Sequence, residues 1–351
     1  MRVCYFGIYD PSYSSNRVFI RGLRENAVEV VECRSTKRGI AKYIDLIRKH
    51  HALHGAYDAV VVGYPGQQAA ILARLITRKP IIFDALVSFY DSLVFDRKTV
   101  NNRSVTALYY WLLDWLSCRA ADLIILDTDA HIDYFVQTFG VRREKFRRIF
   151  IGSDPKVIQP DTALHNEKFT VHFHGFFNPL QGVHYVVRAA RLLQDEDVQF
   201  TIVGTGPKRI RPRALAEELG AHNIRFSEPV SFEELNGWIA RADVCLGIFG
   251  DTDKARRVIP NKVFEALAAR KPIITSRTPA AEELLTDREN VLFCRGSDAE
   301  DLAGKIRELK RDEELRRHIA EEGYRLFEKR LIPRVLGGEL KDAIVSVVHG
   351  Q

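Results

Sequence analysis

The sequence predicts an α/β protein made of two Rossmann-like, doubly wound domains, and three observations carry that expectation. Short β-rich runs alternate with longer stretches of helical period, as parallel sheets with crossover helices require. The alternation restarts after a polar stretch near the middle of the chain. The chain's 351 residues also exceed what one hydrophobic core normally organises.

In the first half, strands are expected at residues 2–7, 27–33, 59–62, 80–83, 122–126 and 146–150. Helices are expected near 17–25, 40–51, 67–78, 104–120 and 129–139. The second half gives strands at 169–173, 199–203, 224–226, 244–247, 272–275 and 291–293. Its helices fall at 183–193, 212–219, 232–240, 260–269, 280–285 and 299–310, and 313–348 reads as helical. The expected division is an N-terminal domain over 1–155, a linker over 156–168 and a second domain over 169–330. A terminal helix, 331–351, is expected to pack back on the N-terminal domain.

Charge is unevenly placed. Residues 1–160 hold 23 Lys and Arg against 16 Asp and Glu, while 161–351 hold 29 against 30. A basic first half fits contact with anionic lipid, an anionic acceptor or nucleic acid, and equally fits plain solubility. No nucleic-acid module is recognisable, so nucleic acid is not expected as a partner. The five cysteines (Cys4, Cys33, Cys118, Cys245, Cys294) are scattered and form no CxxC pair. That predicts reduced thiols in a cytoplasmic compartment rather than disulfides or a zinc site. The first residues run straight into a strand pattern too short for a secretory segment, and no window approaches the roughly 18 apolar residues of a membrane span.

The segment from Arg257 to Thr275 reads as loop, helix, turn and strand, with its polar groups at the helix start. Pro260 suits the first helical position, where a missing N–H costs nothing. Asn261, Lys262 and Glu265 occupy the first two turns, ahead of Val263, Phe264, Leu267 and Ala268. A helix amino end beside a lysine favours an anion such as phosphate. Glu265, three residues from Lys262, can serve the same ligand. Ordinary helix punctuation with a solvated ion pair fits these residues as well.

Other positions carry weaker signals. Residues 200–208 form a strand that ends in a glycine turn, with Gly204 and Gly206 permitting close approach to backbone N–H groups. This is no dinucleotide fingerprint, because Arg209 stands where the third glycine belongs. His172 and His174 alternate along a strand that leads into Gly175, without a third ligand at zinc-like spacing. Asp84, Ser88 and Asp91 follow a strand's carboxyl end, and fit acid–base work or capping and turn chemistry. Tyr13 and Arg17 follow the first strand, and could hold an anion or cap the next helix. The 104–120 helix is apolar on nearly every face, as core helices are, and its aromatics also permit an interfacial role at a membrane.

In order, Gly175 to Gly182, Val203-Gly-Thr-Gly-Pro207, Ala242-Asp243, Pro260-Asn-Lys262 with Glu265, Lys271-Pro, and Glu282-Glu-Leu-Leu resemble the donor half of GT-B glycosyltransferases (glycosyl transferases group 1). Family-4-like, retaining members are the most similar. The resemblance is strong over 169–310 and weaker before it, where Phe150-Ile-Gly152-Ser-Asp154 looks like the entry to the family's inter-domain linker. It implies two domains facing a cleft, and Lys262 on the diphosphate and Glu265 on the ribose of a UDP- or GDP-sugar. Gly175, Gly204 and Gly206 would lie near the donor, with the Pro229–Val230 backbone near the base and Arg257, Ile259 and Asn261 completing the site. It implies no metal ion or other cofactor. Three positions depart from the family's pattern. Arg257 replaces a common glutamate, Phe176 and Gln181 replace a basic pair, and the first βα loop lacks its glycines.

The function expected is transfer of a sugar from a nucleoside-diphosphate sugar to an acceptor hydroxyl of a glycan, lipid-linked or small molecule, as in cell-envelope polysaccharide synthesis. Lys262, Asp84 and Asp91 are the candidate catalytic residues, and Tyr13, Arg17 and Ser88 the candidate acceptor-side residues. The alternatives are a sugar-nucleotide 2-epimerase of the same fold and a non-catalytic nucleotide-sugar-binding subunit. The expected location is the cytoplasm, with peripheral contact at the inner face of the membrane.

Overall fold

A computed structural model describes residues 1–207 and 210–350. The chain divides into two compact units. One is Met1–Gly152 together with the chain from Leu331 onward, and the other is Ser153–Arg330. Residues 153–168, which include the segment expected as a linker, are grouped with the second unit.

The first unit runs β1 (Arg2–Gly7), α1 (Ser14–Glu25), β2 (Glu29–Arg34), α2 (Ala41–His51), β3 (Ala59–Val62), α3 (Gln67–Ile76) and β4 (Ile81–Asp84). A π-helical turn (Asp91–Asp96) precedes α4 (Val105–Ala120), β5 (Leu123–Leu126), α5 (Asp129–Phe139) and β6 (Phe146–Arg148). The six strands lie in the order β2-β1-β3-β4-β5-β6, and every adjacent pair is parallel. β3 and β5 read AVVV and LIIL and are buried throughout, as strands covered by helices on both faces must be.

The second unit runs β7 (Phe169–Phe176), α6 (Val183–Leu192), β8 (Val198–Thr205), α7 (Pro212–Leu219), β9 (Ile224–Ser227), α8 (Phe232–Ala240) and β10 (Val244–Leu246). It continues through α9 (Asn261–Ala268), β11 (Ile273–Ser276), α10 (Pro279–Glu282), β12 (Leu292–Cys294), α11 (Ala299–Arg311) and α12 (Glu313–Arg330). Its strands are ordered β12-β11-β10-β7-β8-β9, again all parallel. Phe173, Phe200, Ile202 and Val187 sit at its core with no exposure.

The structure departs from the expected elements in informative ways. The single 313–348 helix is two, α12 and α13 (Pro333–Val348), because Pro333 cannot continue a preceding helix and starts the next one. α13 lies in the first unit against α1, where Gly22 and Gly337 let the two backbones cross: a Cβ on Gly22 would sit 2.1 Å from Pro333 O. The strand expected from residue 27 starts at Glu29, since Ala27 adopts a left-handed turn with φ of 57°. β7 and β8 both extend past the expected ends, through Phe176 and Thr205. The 104–120 helix is not core on every face. Ala107, Leu113, Ser117 and Cys118 of α4 are buried, while Val105, Leu108, Tyr109, Leu112 and Leu116 face solvent.

Candidate functional site

In the second sheet the strand order reverses at β7, which has β8 on one side and β10 on the other. Ligands of open α/β sheets bind outside the strand carboxyl ends at such a switch point. β7 and β8 end there in register, Gly175 opposite Gly204. Gly175 has φ of +136° and Gly204 of +147°, and a Cβ on Gly204 would stand 2.0 Å from Gly175 O. Two glycines therefore let the strand ends approach as closely as backbones can. Gly206 follows, also pressed close, with its Cβ position 2.5 Å from Phe177 O. Lys208 and Arg209, the end of the expected glycine turn, lie outside the described residues.

The amino end of α9 meets these strand ends. Pro260 is the residue before the helix rather than its first residue: φ of −73° and ψ of 151° are extended, and α9 begins at Asn261. No side chain caps α9. Lys262, on its first turn, is only 4% exposed. Its Nζ lies 3.5 Å above the centroid of the Phe173 ring and donates to Gln181 Oε1. The Cβ position of Gly175 is 3.5 Å from the same Nζ. Among the described residues no carboxylate forms an ion pair with Lys262. Burial pushes its pKa well below the usual lysine value, and the charge of Glu265 pulls it partway back.

Glu265, 3% exposed, does not bond Lys262. Its Oε2 lies 2.7 Å from His174 Nε2, His174 Nδ1 lies 3.1 Å from His172 Nε2, and His172 Nδ1 lies 2.9 Å from Thr201 Oγ1. The two imidazoles stack with centroids 5.1 Å apart. Burial pushes the pKa of His172 well below its usual value, helped by the positive potential of His174 and Lys262. Residue spacing placed the histidines on one strand face, but their link to Glu265 joins residues 91 positions apart and has no local sequence signal.

The structure thus brings Gly175, Gly204, Lys262 and Glu265 together, and adds Gln181, Phe173, His172 and His174, which sequence reasoning did not assign. Ile259 is buried and Arg257 half-buried on the approach to α9, and Asn261, its first residue, is half-buried. Val230 is half-buried in the loop after β9, beside the exposed Pro229. No group of three or more metal-ligating side chains occurs among the described residues.

The first-unit candidates lie at the end of β4, in the turn before α4 and at the start of α1. Asp84 ends β4 with 2% exposure. Burial pushes its pKa up to about 7; the Ser15 hydroxyl pulls it down and Asp127 pushes it up. Asp127 in turn lies 3.0 Å from His131 Nδ1. Ser88 is fully buried and donates to Asp114 Oδ2 at 2.7 Å, while accepting from the Asp91 N–H at 2.9 Å. The carboxylate of Asp114 also accepts from the N–H groups of Phe89 and Tyr90. Ser88 therefore anchors the start of the π-helical turn to α4. The buried Asp91 opens that turn. Tyr13 precedes α1, its ring 5.0 Å from that of Tyr64, and Arg17 is half-buried in the first turn of α1. Beside them Asn16 holds the loop, bonding Tyr5, Asp10 and Tyr64.

Two Rossmann-like units, with a buried lysine at a helix amino end on the second sheet's switch point, define a protein of GT-B architecture. Residues 156–326 match the model of the family described as Glycosyl transferases group 1. It is 28% identical over 116 residues to WcaI of Escherichia coli K12, assigned as a colanic acid biosynthesis glycosyl transferase, and 26% identical over 151 residues to the lipopolysaccharide core biosynthesis glycosyltransferase LpsE of Rhizobium meliloti. These matches cover 33% and 43% of this chain, and 28% and 42% of the two relatives, so the likeness spans less than half of either protein. Among solved structures, sucrose-phosphate synthase of Thermosynechococcus elongatus superimposes with a TM-score of 0.77 at 13% identity, over the whole of both chains. HepE of Anabaena, solved in complex with UDP-glucose, gives 0.74 at 16% identity over 99% of this chain and 100% of the other. At these identities the structural likeness is one of fold.

Proposed function

We propose that the protein transfers a sugar from a nucleoside-diphosphate sugar to an acceptor hydroxyl, with retention and without a metal ion. The observation that carries this reading is Lys262. A buried ammonium met only by a neutral amide and an aromatic face is costly, because nothing of opposite charge replaces its lost hydration. A diphosphate brings that charge to a helix amino end already suited to an anion. As the sugar leaves, negative charge grows on the diphosphate, and a fixed cation there stabilises the transition state. Glu265, held by His174, accepts hydroxyl hydrogen bonds from the ribose. The glycine pair at the ends of β7 and β8 leaves room for the donor against the backbone. The UDP-glucose complex of the structurally similar HepE supports this class of donor, and the family of residues 156–326 supports transfer as the reaction.

Calorimetry with UDP and GDP, with and without EDTA, tests the donor site. Binding of one nucleotide is expected, unaffected by the chelator and weakened about a hundredfold in Lys262→Ala. If neither nucleotide binds, or if Lys262→Ala and Glu265→Ala bind as the native chain does, the reading is wrong. Product analysis with and without acceptors then separates transfer from epimerisation and from binding alone, and the anomeric configuration of the product tests retention.

A further inference from the structure

The first unit carries a second surface with a chemistry of its own. The steps β2 to β3, β3 to β4 and β4 to β5 all run the same way across the sheet, whereas β1 to β2 runs the other way. Right-handed crossovers therefore set α2, α3 and α4 side by side on one face. Gln68 of α3 ties them together, bonding Tyr43 of α2 and Tyr109 of α4.

Nine of the thirteen large apolar side chains exposed among the described residues belong to this one layer. On α4 they form a stripe, Val105, Leu108, Tyr109, Leu112 and Leu116, with Val105 85% exposed. Ile40, Ile44 and Ile47 repeat the pattern along α2, and Leu75 of α3 is 78% exposed between them. Scattered apolar exposure is ordinary, but concentration on one helical layer marks an interaction surface.

The charge on the same layer is one-sided. Residues 36–51, 67–79 and 97–120, which hold the three helices and their flanks, contain twelve Lys and Arg against two Asp. Of those two, Asp114 is buried and Asp45 is already paired with Lys37 and Lys49. Arg38, Arg48, Arg78, Lys79, Lys98 and Arg103 are exposed and bond no carboxylate among the described residues. A recess of about 250 Å³ beside the last turn of α4 is lined by Arg119, Arg142 and Lys145 with Gly140 and Val141, adding cations where the apolar stripe ends.

We propose that α2, α3 and α4 dock the protein on an anionic lipid bilayer, with the stripes entering the headgroup boundary and the cations meeting lipid phosphates. Amphipathic helices with apolar and basic residues lie in the membrane plane in this way, and among the described residues no helix is long and apolar enough to cross it. A second copy of the chain is a poor occupant, since an isologous contact would press the exposed cations of one layer, Arg38, Arg48, Arg78, Lys79, Lys98 and Arg103, against those of the other. The proposal stands apart from the donor reading, because vesicle binding requires no nucleotide.

The test is co-sedimentation of the full chain with phosphatidylglycerol or phosphatidylcholine vesicles at low and high salt. Two double variants are compared with it, Leu108→Ser with Leu112→Ser, and Lys79→Glu with Arg103→Glu. All four positions are exposed, and unchanged thermal unfolding and nucleotide affinity serve as the fold controls. The native chain is expected to pellet with phosphatidylglycerol at low salt and not with phosphatidylcholine. Each double variant is expected to bind about tenfold more weakly or worse. Absence of binding to phosphatidylglycerol overturns the proposal, as does native-like binding by either variant. A native dimer in sedimentation velocity that the serine variant dissociates would make the occupant a second copy, and would overturn it too.

Discussion

His174 Nε2 lies 2.7 Å from Glu265 Oε2, and both side chains are almost wholly buried. With Glu265 ionised and both imidazoles neutral, valence sets the donors along the chain. Thr201 donates to His172 Nδ1, His172 Nε2–H to His174 Nδ1, and His174 Nε2–H to the carboxylate. One carboxylate oxygen is thereby fixed, leaving the other to meet a ligand. His174→Leu is expected to strand the buried carboxylate, lowering thermal stability by several degrees and nucleotide affinity about tenfold or more. His174→Gln, which retains an N–H donor, should recover part of both. Equal nucleotide affinity in the native chain and His174→Leu, measured by calorimetry, would refute the positioning role.

Lys262 ties ligand binding to protons. Its folded pKa is depressed by burial, so the apo protein holds that proton less tightly than an exposed lysine would. A bound diphosphate restores the charged form, and binding should therefore take up a proton. Calorimetry at pH 8 in buffers of different ionisation enthalpy is expected to show net uptake in the native chain and less in Lys262→Met. The same depression fixes a sign for stability. The group's contribution is complete above the unfolded value, about 10.5, and is lost as pH falls. Lys262→Met should accordingly raise the apo melting temperature near pH 7, by about 2–4 °C per kcal/mol recovered, while weakening nucleotide binding.

Gln181 accepts the hydrogen bond that a ligand's oxygen would otherwise take from Lys262. Gln181→Glu would give the lysine a permanent counter-charge of nearly the same shape. The expected outcome is a more stable apo protein with at least tenfold weaker nucleotide binding, since the diphosphate must then displace or face a carboxylate. Thermal shift and calorimetry on one preparation check both. A rise in affinity would place the diphosphate elsewhere.

How much of this site could be seen in the sequence depended on range. The parallel sheets were legible because apolar runs such as Val60–Val62 and Ile81–Phe83 admit little besides buried strand. Lys262 was legible because the helix-start context lies within a few residues of it. Gln181 and His174 were not, since their partners lie 81 and 91 residues away and only the β7–β10 adjacency brings them together. The partner of Ser88 was hidden for the same reason. A hydroxyl after a strand looks free until α4 supplies Asp114 from 26 residues on. The exposed stripe of α4 was hidden because an all-round apolar helix has the same composition whether its outer face is covered or open.

Asp84 gives a pH dependence of opposite sign to that of Lys262. Burial raises its pKa to about 7, against about 4 unfolded. Its contribution to stability is complete below the unfolded value and is lost as pH rises through about 7. Asp84→Asn keeps the shape of the neutral acid without its ionisation. The variant's melting temperature is expected to exceed the native one more at pH 8 than at pH 5. An equal difference at both pH values would show that Asp84 ionises as freely in the folded chain as in the unfolded one.

The glycine pair yields the sharpest ordering. A methyl on Gly204 would overlap Gly175 O at 2.0 Å, and backbone cannot rotate away as a side chain can. Gly204→Ala is therefore expected to lose several kcal/mol, enough to unfold the second unit at moderate temperature. Gly175→Ala meets Lys262 Nζ only at ordinary contact, 3.5 Å, but carries the strain of φ at +136°. It should cost about 1–3 kcal/mol and weaken nucleotide binding by crowding the lysine. Gly220→Ala, at the end of α7 with φ of +65° and only His222 near, is the control for strain without crowding. The expected order of melting temperatures is Gly220→Ala at or above Gly175→Ala, and both well above Gly204→Ala, with nucleotide affinity kept in the first and reduced in the second. If Gly204→Ala melts with Gly220→Ala, the two strand ends do not approach as closely as described, and the space assigned to the donor beside Lys262 is lost with them.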